Sequence, residues 1–171
     1  TNRGNDRRLR EQFKHDREVK NREREMVLRK EIYMNAAEAI HAGIMVIPRL
    51  SQLEVPYDKI TNEYLSKASS MAKIHIVATE PTIKAVLAFS SELAAILMRL
   101  NARRASLTVN NNPVDTARFR DECMKETLRI WRLSVSVVTC ARMELDLPLD
   151  ERVYATVVEE TIQKQMASMQ G

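Results

Sequence analysis

One pair of side chains has the spacing of a metal-binding unit. Glu38 and His41 are three positions apart, the spacing that places both ligands of a Glu-x-x-His unit on one helix face in di-iron carboxylate bundles. Those centres need a second unit, but His75 has Ala72 where its glutamate would stand. Further carboxylates that could point inward are Glu92, Glu122 and Glu126. A metal-binding bundle built on Glu38 and His41 is therefore an alternative hypothesis, and the favoured prediction contains no metal and no cofactor.

The nucleophilic side chains lack the sequence context that catalysis requires. Ser90 and Ser91 lie in an apolar stretch without the Gly-x-Ser-x-Gly turn that exposes a catalytic serine. Cys123 and Cys140 fall in one predicted helix, about 25 Å apart along its axis, which exceeds the reach of a disulfide. The chain has only 3 glycines, too few for a glycine-rich phosphate-binding loop. We therefore predict a protein that is not an enzyme, with no catalytic residue and no small-molecule substrate.

Positive charge is concentrated at the amino end of the chain. Residues 1–30 hold eleven of the 27 basic residues but only six of the 23 acidic ones, so the rest of the chain is close to neutral. The basic residues nearest the terminus are Arg3, Arg7, Arg8 and Arg10. Arginines in such a cluster mark the cytoplasmic side of a transmembrane helix and attract anionic lipid headgroups. We expect these four arginines to contact a membrane surface or other phosphate groups.

The membrane hypothesis needs an anchor upstream of this chain. No run of about 18 apolar residues is present, so no segment is predicted to span a bilayer. The first residue is threonine rather than methionine, and we expect a preceding segment to carry the anchor; without one, the chain would be cytoplasmic. Nucleic acid is the less favoured partner, because acidic residues interrupt the basic leader and Phe13 is its only aromatic residue.

The order of these features resembles a group of uncharacterised bacterial membrane-anchored proteins. The resemblance rests on the charged leader at 3–30, the turn RKEIY at 29–33 and the run KIHIVATEPTIKAV at 73–86. In that group, one or two transmembrane helices lead into a charged helix and then into a cytoplasmic helical domain. The resemblance implies location and architecture, and it carries over no catalytic or binding residue.

The elements that must position these residues are predicted to be helices. With 3 glycines and 5 prolines in 171 residues, the chain has too little turn punctuation for a β-sandwich or barrel. Apolar residues recur at spacings of three and four, and prolines interrupt the pattern. The five predicted segments are 6–47, 57–77, one from the N-cap Thr79 to beyond Arg104, 114–147, and one capped by Asp150. Residues 134–139 alternate like a strand, but helical spacing continues on both sides, so we assign them to the fourth helix.

Together these segments predict an all-α fold. It is an antiparallel bundle of four to five helices at residues 28–171, from which a charged helical leader at residues 1–27 projects. We expect the third helix to be central, because residues 86–100 are apolar on nearly every face. A sparse coiled-coil signal runs through the first helix at Val19, Met26, Tyr33, Ile40 and Ile47.

The apolar residues of the first helix and the basic leader together predict an interaction role. Residues 28–47 carry more apolar surface than one neighbour covers, which predicts self-association. The absence of catalytic motifs and the basic leader together favour a non-catalytic interaction or scaffolding domain on the cytoplasmic side of a membrane.

Overall fold

Helices make up nearly all of the described chain. The computed structural model describes residues 2–109, 112–147 and 150–170, without the side chains of 2–7, 151, 162, 165, 166 and 168–170. The helices are α1 (Asn2–Arg49), α2 (Tyr57–Val77), α3 (Glu80–Val109), α4 (Pro113–Glu144) and α5 (Glu151–Gln170). These described residues contain no strand, and residues 134–139 are helical, so the all-α prediction is confirmed.

Contacts at the two ends of the bundle establish that its helices alternate in direction. Near the carboxyl end of α3, Arg104 donates hydrogen bonds to the carbonyls of Gln52 and Leu53 in the short α1–α2 loop. At the opposite end, Glu144 in the last turn of α4 contacts Tyr33 of α1 and the residue that precedes α3. Helices α1 and α3 therefore run in one direction and α2 and α4 in the other, as predicted. Helix α5 packs on α4.

Helix α1 belongs to the bundle over only part of its length. Its 48 residues span about 70 Å at the usual helical rise. Every side chain from residue 8 to residue 25 is exposed, and the first buried side chains are those of Ile32 and Tyr33. Leu28, where the bundle region was predicted to begin, is 47% exposed. Residues 8–31 are termed the stalk, because they project from the bundle as a single helix.

The core is built around the second half of α1. Its largest fully buried side chains are Phe89, Phe119, Ile44, Ile47, Leu50, Ile60, Ile74, Leu93, Ile96, Leu100, Ile130 and Val46. The seven-residue series of α1 changes from exposed at Val19 to fully buried at Ile47, so its second half faces the bundle core. Helices α2 and α4 of the same chain cover this half of α1. Two of its apolar side chains stay exposed, Met34 at 62% and Met45 at 43%, and self-association stays a prediction.

The expectation that α3 is the central helix is wrong. Helix α3 packs mainly on α4 and touches α1 and α2 only slightly, whereas α1 and α4 form the central pair. The outer face of α3 leaves Leu87 and Met98 more than half exposed, together with several alanines. Alanine is apolar but small, so leaving it in water costs little. An apolar composition therefore does not by itself place a helix at the centre of a bundle.

A glycine permits a close approach of α1 to its neighbours. A Cβ atom added at Gly43 would lie 2.7 Å from Cδ2 of Leu93 and 3.0 Å from Cε2 of Tyr64. Leu93 is fully buried, so its side chain has little space into which to move. The absence of a side chain at position 43 therefore lets α1 approach Leu93 of α3 and Tyr64 of α2 at this level.

Side-chain caps stabilise the starts of α4 and α5. The Asn112 side chain accepts a hydrogen bond from the Val114 amide at 3.0 Å, with Pro113 in the first turn of the helix. The predicted cap Asp150 accepts from the amides of residues 152 and 153 at 2.9 and 3.3 Å. Both contacts satisfy amides that have no partner within their own helix.

Candidate functional site

The two candidate metal ligands lie on the surface of α1. Glu38 and His41 are both exposed. The carboxylate of Glu38 lies 3.7 Å from the ammonium of Lys67 on α2, which also lies 3.6 Å from Glu63. Within the part of the chain that the structure describes, no group of three histidine, cysteine, aspartate or glutamate side chains is placed to hold a metal ion. The structure thus joins Glu38 to a lysine and brings it and His41 to no further ligand.

The three carboxylates that could have pointed inward instead pair with arginines. The pairs that join α3 to α4 are Glu126–Arg99 at 2.6 Å, Glu122–Arg103 at 2.6 Å and Glu92–Arg129 at 2.9 Å. Guanidinium groups at these distances neutralise the carboxylates. These glutamates therefore join two helices electrostatically, and the structure does not bring them to Glu38 or His41.

The buried cysteine is held in its protonated form. Burial raises the pKa of Cys123 to about 12, and the charge of Glu122 adds to the effect. A thiol with this pKa is almost entirely protonated at neutral pH, whereas the thiolate is the form that acts as a nucleophile. Cys140 is half-buried. The histidines that could act as bases, His15, His41 and His75, are all exposed.

The basic cluster lies at the far end of α1 from the bundle. The backbone of residues 2–10 is helical and is continuous with that of residues 11–31 in the stalk. Arg8 and Arg10 are exposed, whereas the side chains of Arg3 and Arg7 lie outside the described residues. At 1.5 Å per residue, about 36 Å separates Arg8 from Ile32, where burial begins. This end of the helix is therefore well away from the bundle.

A densely bonded carboxylate, which the sequence analysis did not predict, lies at the base of the stalk. It belongs to Glu144, whose side chain is only 8% exposed. One oxygen, Oε1, accepts hydrogen bonds from the Thr79 amide at 2.9 Å, the Thr79 hydroxyl at 2.5 Å and the Thr82 hydroxyl at 2.5 Å. The other, Oε2, accepts from the Tyr33 hydroxyl at 2.5 Å and lies 4.0 Å from Nη1 of Arg29. These five residues are termed the Glu144 cluster.

The surroundings of Glu144 favour its charged form. Burial alone would raise the pKa of this carboxyl, but the hydrogen bonds from Thr79, Thr82 and Tyr33 outweigh burial and lower the pKa below its ordinary value. Burial, together with the hydrogen bond and the negative charge of Glu144, raises the pKa of the Tyr33 hydroxyl. A neutral tyrosine therefore donates to a charged carboxylate. The positive end of the α3 dipole adds to the attraction.

Sequence reasoning missed Glu144 because its partners are distant in the chain. The hydrogen-bonded partners lie 62 to 111 positions away, and no motif connects them. Thr79 was predicted as the cap of α3, but its hydroxyl donates to Glu144 instead of capping its own helix. One sequence signal was present: Glu144 carries negative charge into the last turn of α4, where the helix dipole disfavours it. A residue in such a position is a candidate for a contact with another element.

A surface recess runs along the stalk, and it is not an enclosed pocket. It has a volume of about 940 Å³ and is lined by residues of a single helix between Arg10 and Arg24. Because one helix lines it, the recess is a groove between exposed side chains. None of the described helices is both long and apolar enough to cross a bilayer.

Comparison with known proteins adds no relative. No protein-family model, no curated protein and no solved structure matches this chain. The resemblance to bacterial membrane-anchored proteins therefore stays a prediction.

Proposed function

We propose that this chain is a non-catalytic interaction domain in which a stiff charged helix holds a helical bundle away from an anionic membrane surface. The observation that carries the proposal is the continuity of α1. One helix contributes its second half to the bundle core and extends its first half into solvent. Because the stalk buries almost nothing, its length and charge are not explained by the stability of the bundle.

Local ion pairs support the stiffness of the stalk. Arg29 and Glu25 form such a pair at 2.9 Å, four residues apart. The same acid-to-base spacing recurs at Asp16–Lys20 and Glu18–Arg22. Each pair stabilises an exposed helix by about 0.2–0.5 kcal/mol, which favours helix over coil without any packing partner. A helix with such pairs acts as a semi-rigid spacer rather than as a flexible linker.

The distribution of charge along the leader supports the proposal that the leader faces a membrane surface. Residues 1–10 contain four arginines and one aspartate, whereas residues 11–20 contain three basic and three acidic residues. Residues 21–30 contain four basic and two acidic residues, so the largest share of the net positive charge lies at the end that is farthest from the bundle. Each basic residue near an anionic bilayer contributes about 1 kcal/mol of attraction, and the attraction fades within a Debye length. A nearly neutral bundle would gain little from approaching the same surface.

The resemblance to membrane-anchored proteins with a charged helix supports the same proposal. In such an arrangement, an upstream anchor would supply most of the affinity and the four arginines would fix the orientation of the stalk.

Vesicle sedimentation tests the proposed role of the basic end. The tip variant replaces Arg3, Arg7, Arg8 and Arg10 with glutamine, and the matched control variant replaces Lys14, Arg17, Lys20 and Arg22 with glutamine. Both lose four positive charges, so a response to overall charge alone would affect them equally. We expect the wild-type chain and the control variant to sediment with phosphatidylserine-containing vesicles at low salt, and the tip variant to lose most of this binding. Equal loss by both variants would contradict a role for the tip.

Fractionation of the gene product expressed from its own start codon tests the membrane location. Retention in the membrane pellet after a carbonate wash is the expected result. Full recovery in the supernatant would overturn the proposal. Tight binding of the chain to a duplex oligonucleotide, with a steep dependence on salt, would then favour nucleic acid as the partner.

A further inference from the structure

We propose that the Glu144 cluster couples the base of the stalk to the amino end of α3. Local opening of either segment would then increase local opening of the other. This inference does not depend on the membrane proposal. It rests on the geometry of one buried carboxylate and on the three helices that this carboxylate connects.

The two oxygens of Glu144 serve different helices. Oε1 accepts from Thr79 and Thr82, at the beginning of α3. Oε2 accepts from Tyr33 and faces Arg29, both on α1. A carboxylate is planar and rigid, so a rotation that follows one set of donors moves the other oxygen away from its own donors. The positions of the two donor sets are therefore linked through a single side chain of α4.

Burial makes the loss of either donor set costly. With only 8% of its side chain exposed, Glu144 has little access to water that could replace a lost donor. A charged carboxylate in such a place depends on its protein hydrogen bonds. Helices α1 and α3 make few direct contacts with each other, and both pack on α4, the helix that carries Glu144.

The cluster also reaches the stalk and the α2–α3 junction. On one side, Arg29 holds Glu25 at 2.9 Å, which extends the cluster by one turn into the stalk. On the other side, the junction between α2 and α3 is only residues 78 and 79. The amide of Ala78 bonds back to Ile74 at 2.9 Å, while that of Thr79 bonds to Glu144. A change in the direction of the stalk would therefore alter the hydrogen bonds at the end of α2 and at the start of α3.

Hydrogen exchange tests the coupling in both directions. Tyr33→Phe removes the donor on the stalk side, and Tyr64→Phe is the matched control, because Tyr64 lies on α2 away from the cluster. We expect amide exchange at residues 80–86 to rise roughly tenfold in Tyr33→Phe, as befits the loss of a hydrogen bond to a charged group. We expect no such rise in Tyr64→Phe. Unchanged exchange at residues 80–86 in Tyr33→Phe would overturn the proposal.

The reverse experiment removes a donor on the α3 side. Thr82→Val should raise exchange at residues 29–36, whereas the control Thr61→Val should not, because the Thr61 hydroxyl donates only to carbonyls in its own helix. If Tyr33→Phe fails to fold, Arg29→Gln is used in its place. Arg29 is partly exposed and lies near the same oxygen of Glu144. Strictly additive losses of stability in the variant that combines the changes at residues 33 and 82 would also contradict coupling.

Discussion

The two halves of α1 are one continuous helix, yet different forces keep them helical. In the stalk, most side chains are exposed, and the Glu25–Arg29 ion pair lies along the surface of the helix itself. From Ile32 to the end of the helix, most side chains are buried or partly buried against other helices. The first half would remain helical only to the extent that local interactions allow, and isolated helices are marginal in water. The second half is stabilised by tertiary packing. Helical structure alone thus says little about which residues stabilise the fold.

At the base of the stalk, α1 changes from an exposed helix to a helix that is packed against its neighbours. Arg29 and Tyr33 lie one turn apart, and both face Glu144. The transition is therefore marked by a charged cluster rather than by a gradual increase in burial. Substitutions on either side of this boundary should differ sharply in their effects on stability.

The largest difference is expected between buried and exposed aliphatic residues of α1. Ile47 is fully buried, and Ile47→Ala should lower the free energy of unfolding by about 2–5 kcal/mol, because it leaves a cavity. Leu9 in the stalk is 50% exposed, and Leu9→Ala should change it by less than about 0.5 kcal/mol. Urea denaturation followed by circular dichroism measures both. Similar losses of unfolding free energy in the two variants would refute the division of α1 into an exposed half and a packed half.

The next largest effect is expected at the boundary. Glu144→Gln keeps the size of the side chain but removes its charge, so the donors of residues 29, 33, 79 and 82 face a weaker acceptor. We expect a loss of about 1–3 kcal/mol in the free energy of unfolding at neutral pH. Glu159→Gln is a useful control, because Glu159 is half-exposed and pairs with Arg132 on the surface. A loss at residue 144 no larger than at residue 159 would mean that the cluster adds little to stability.

Acid should remove the contribution of Glu144 in a defined direction. Its pKa is lower in the folded protein than its ordinary value of 4.5, so the unfolded chain binds the proton more tightly. The stabilisation is therefore present above pH 4.5 and is lost as the pH falls through the folded pKa. The difference in stability between the wild type and Glu144→Gln should shrink over this range. A difference that stays constant from pH 7 to about pH 3 would contradict the lowered pKa.

A smaller effect is expected at Gly43, where α1 lies close to Leu93 of α3. Gly43→Ala adds a methyl group 2.7 Å from Leu93, and such overpacking costs about 1–3 kcal/mol. The higher helix propensity of alanine offsets up to about 1 kcal/mol of this cost. If the contact with Leu93 is the cause, Gly43→Ala should be less costly in a Leu93→Ala background. An equal cost in both backgrounds, measured by urea denaturation, would exclude that explanation.

The smallest effect is expected from removal of residues 1–25. These residues contribute no buried side chain among those described, so the remaining bundle should keep its cooperative unfolding with a change of less than about 0.5 kcal/mol. The helical signal should fall in proportion to the residues removed. Unfolding of the shortened chain would show that the stalk is structural and would refute the division of the chain into leader and bundle.

The helices were predicted well from sequence, because periodicity and capping are local properties. The starts of α2 and α5 followed from Tyr57 and Asp150, and the continuation of helical spacing correctly overruled the strand-like stretch at 134–139. The exposed leader was also predictable, since a segment with so few apolar residues has nothing to bury. For Glu38 and His41, sequence could supply the spacing of a metal unit but could not supply the rest of the ligand set.

Tertiary structure alone decided which apolar faces are covered and which polar groups meet. An apolar helix surface is compatible with several neighbours, and only the packing of α1 against α4 left α3 at the side of the bundle. The Glu144 cluster unites residues 29, 33, 79, 82 and 144, which lie on three helices and in one junction. No local pattern encodes such a meeting, because hydrogen bonds between distant residues depend on where whole helices lie. Spacing along one helix is determined by the sequence of that helix, whereas contacts between helices depend on the sequence of all of them together.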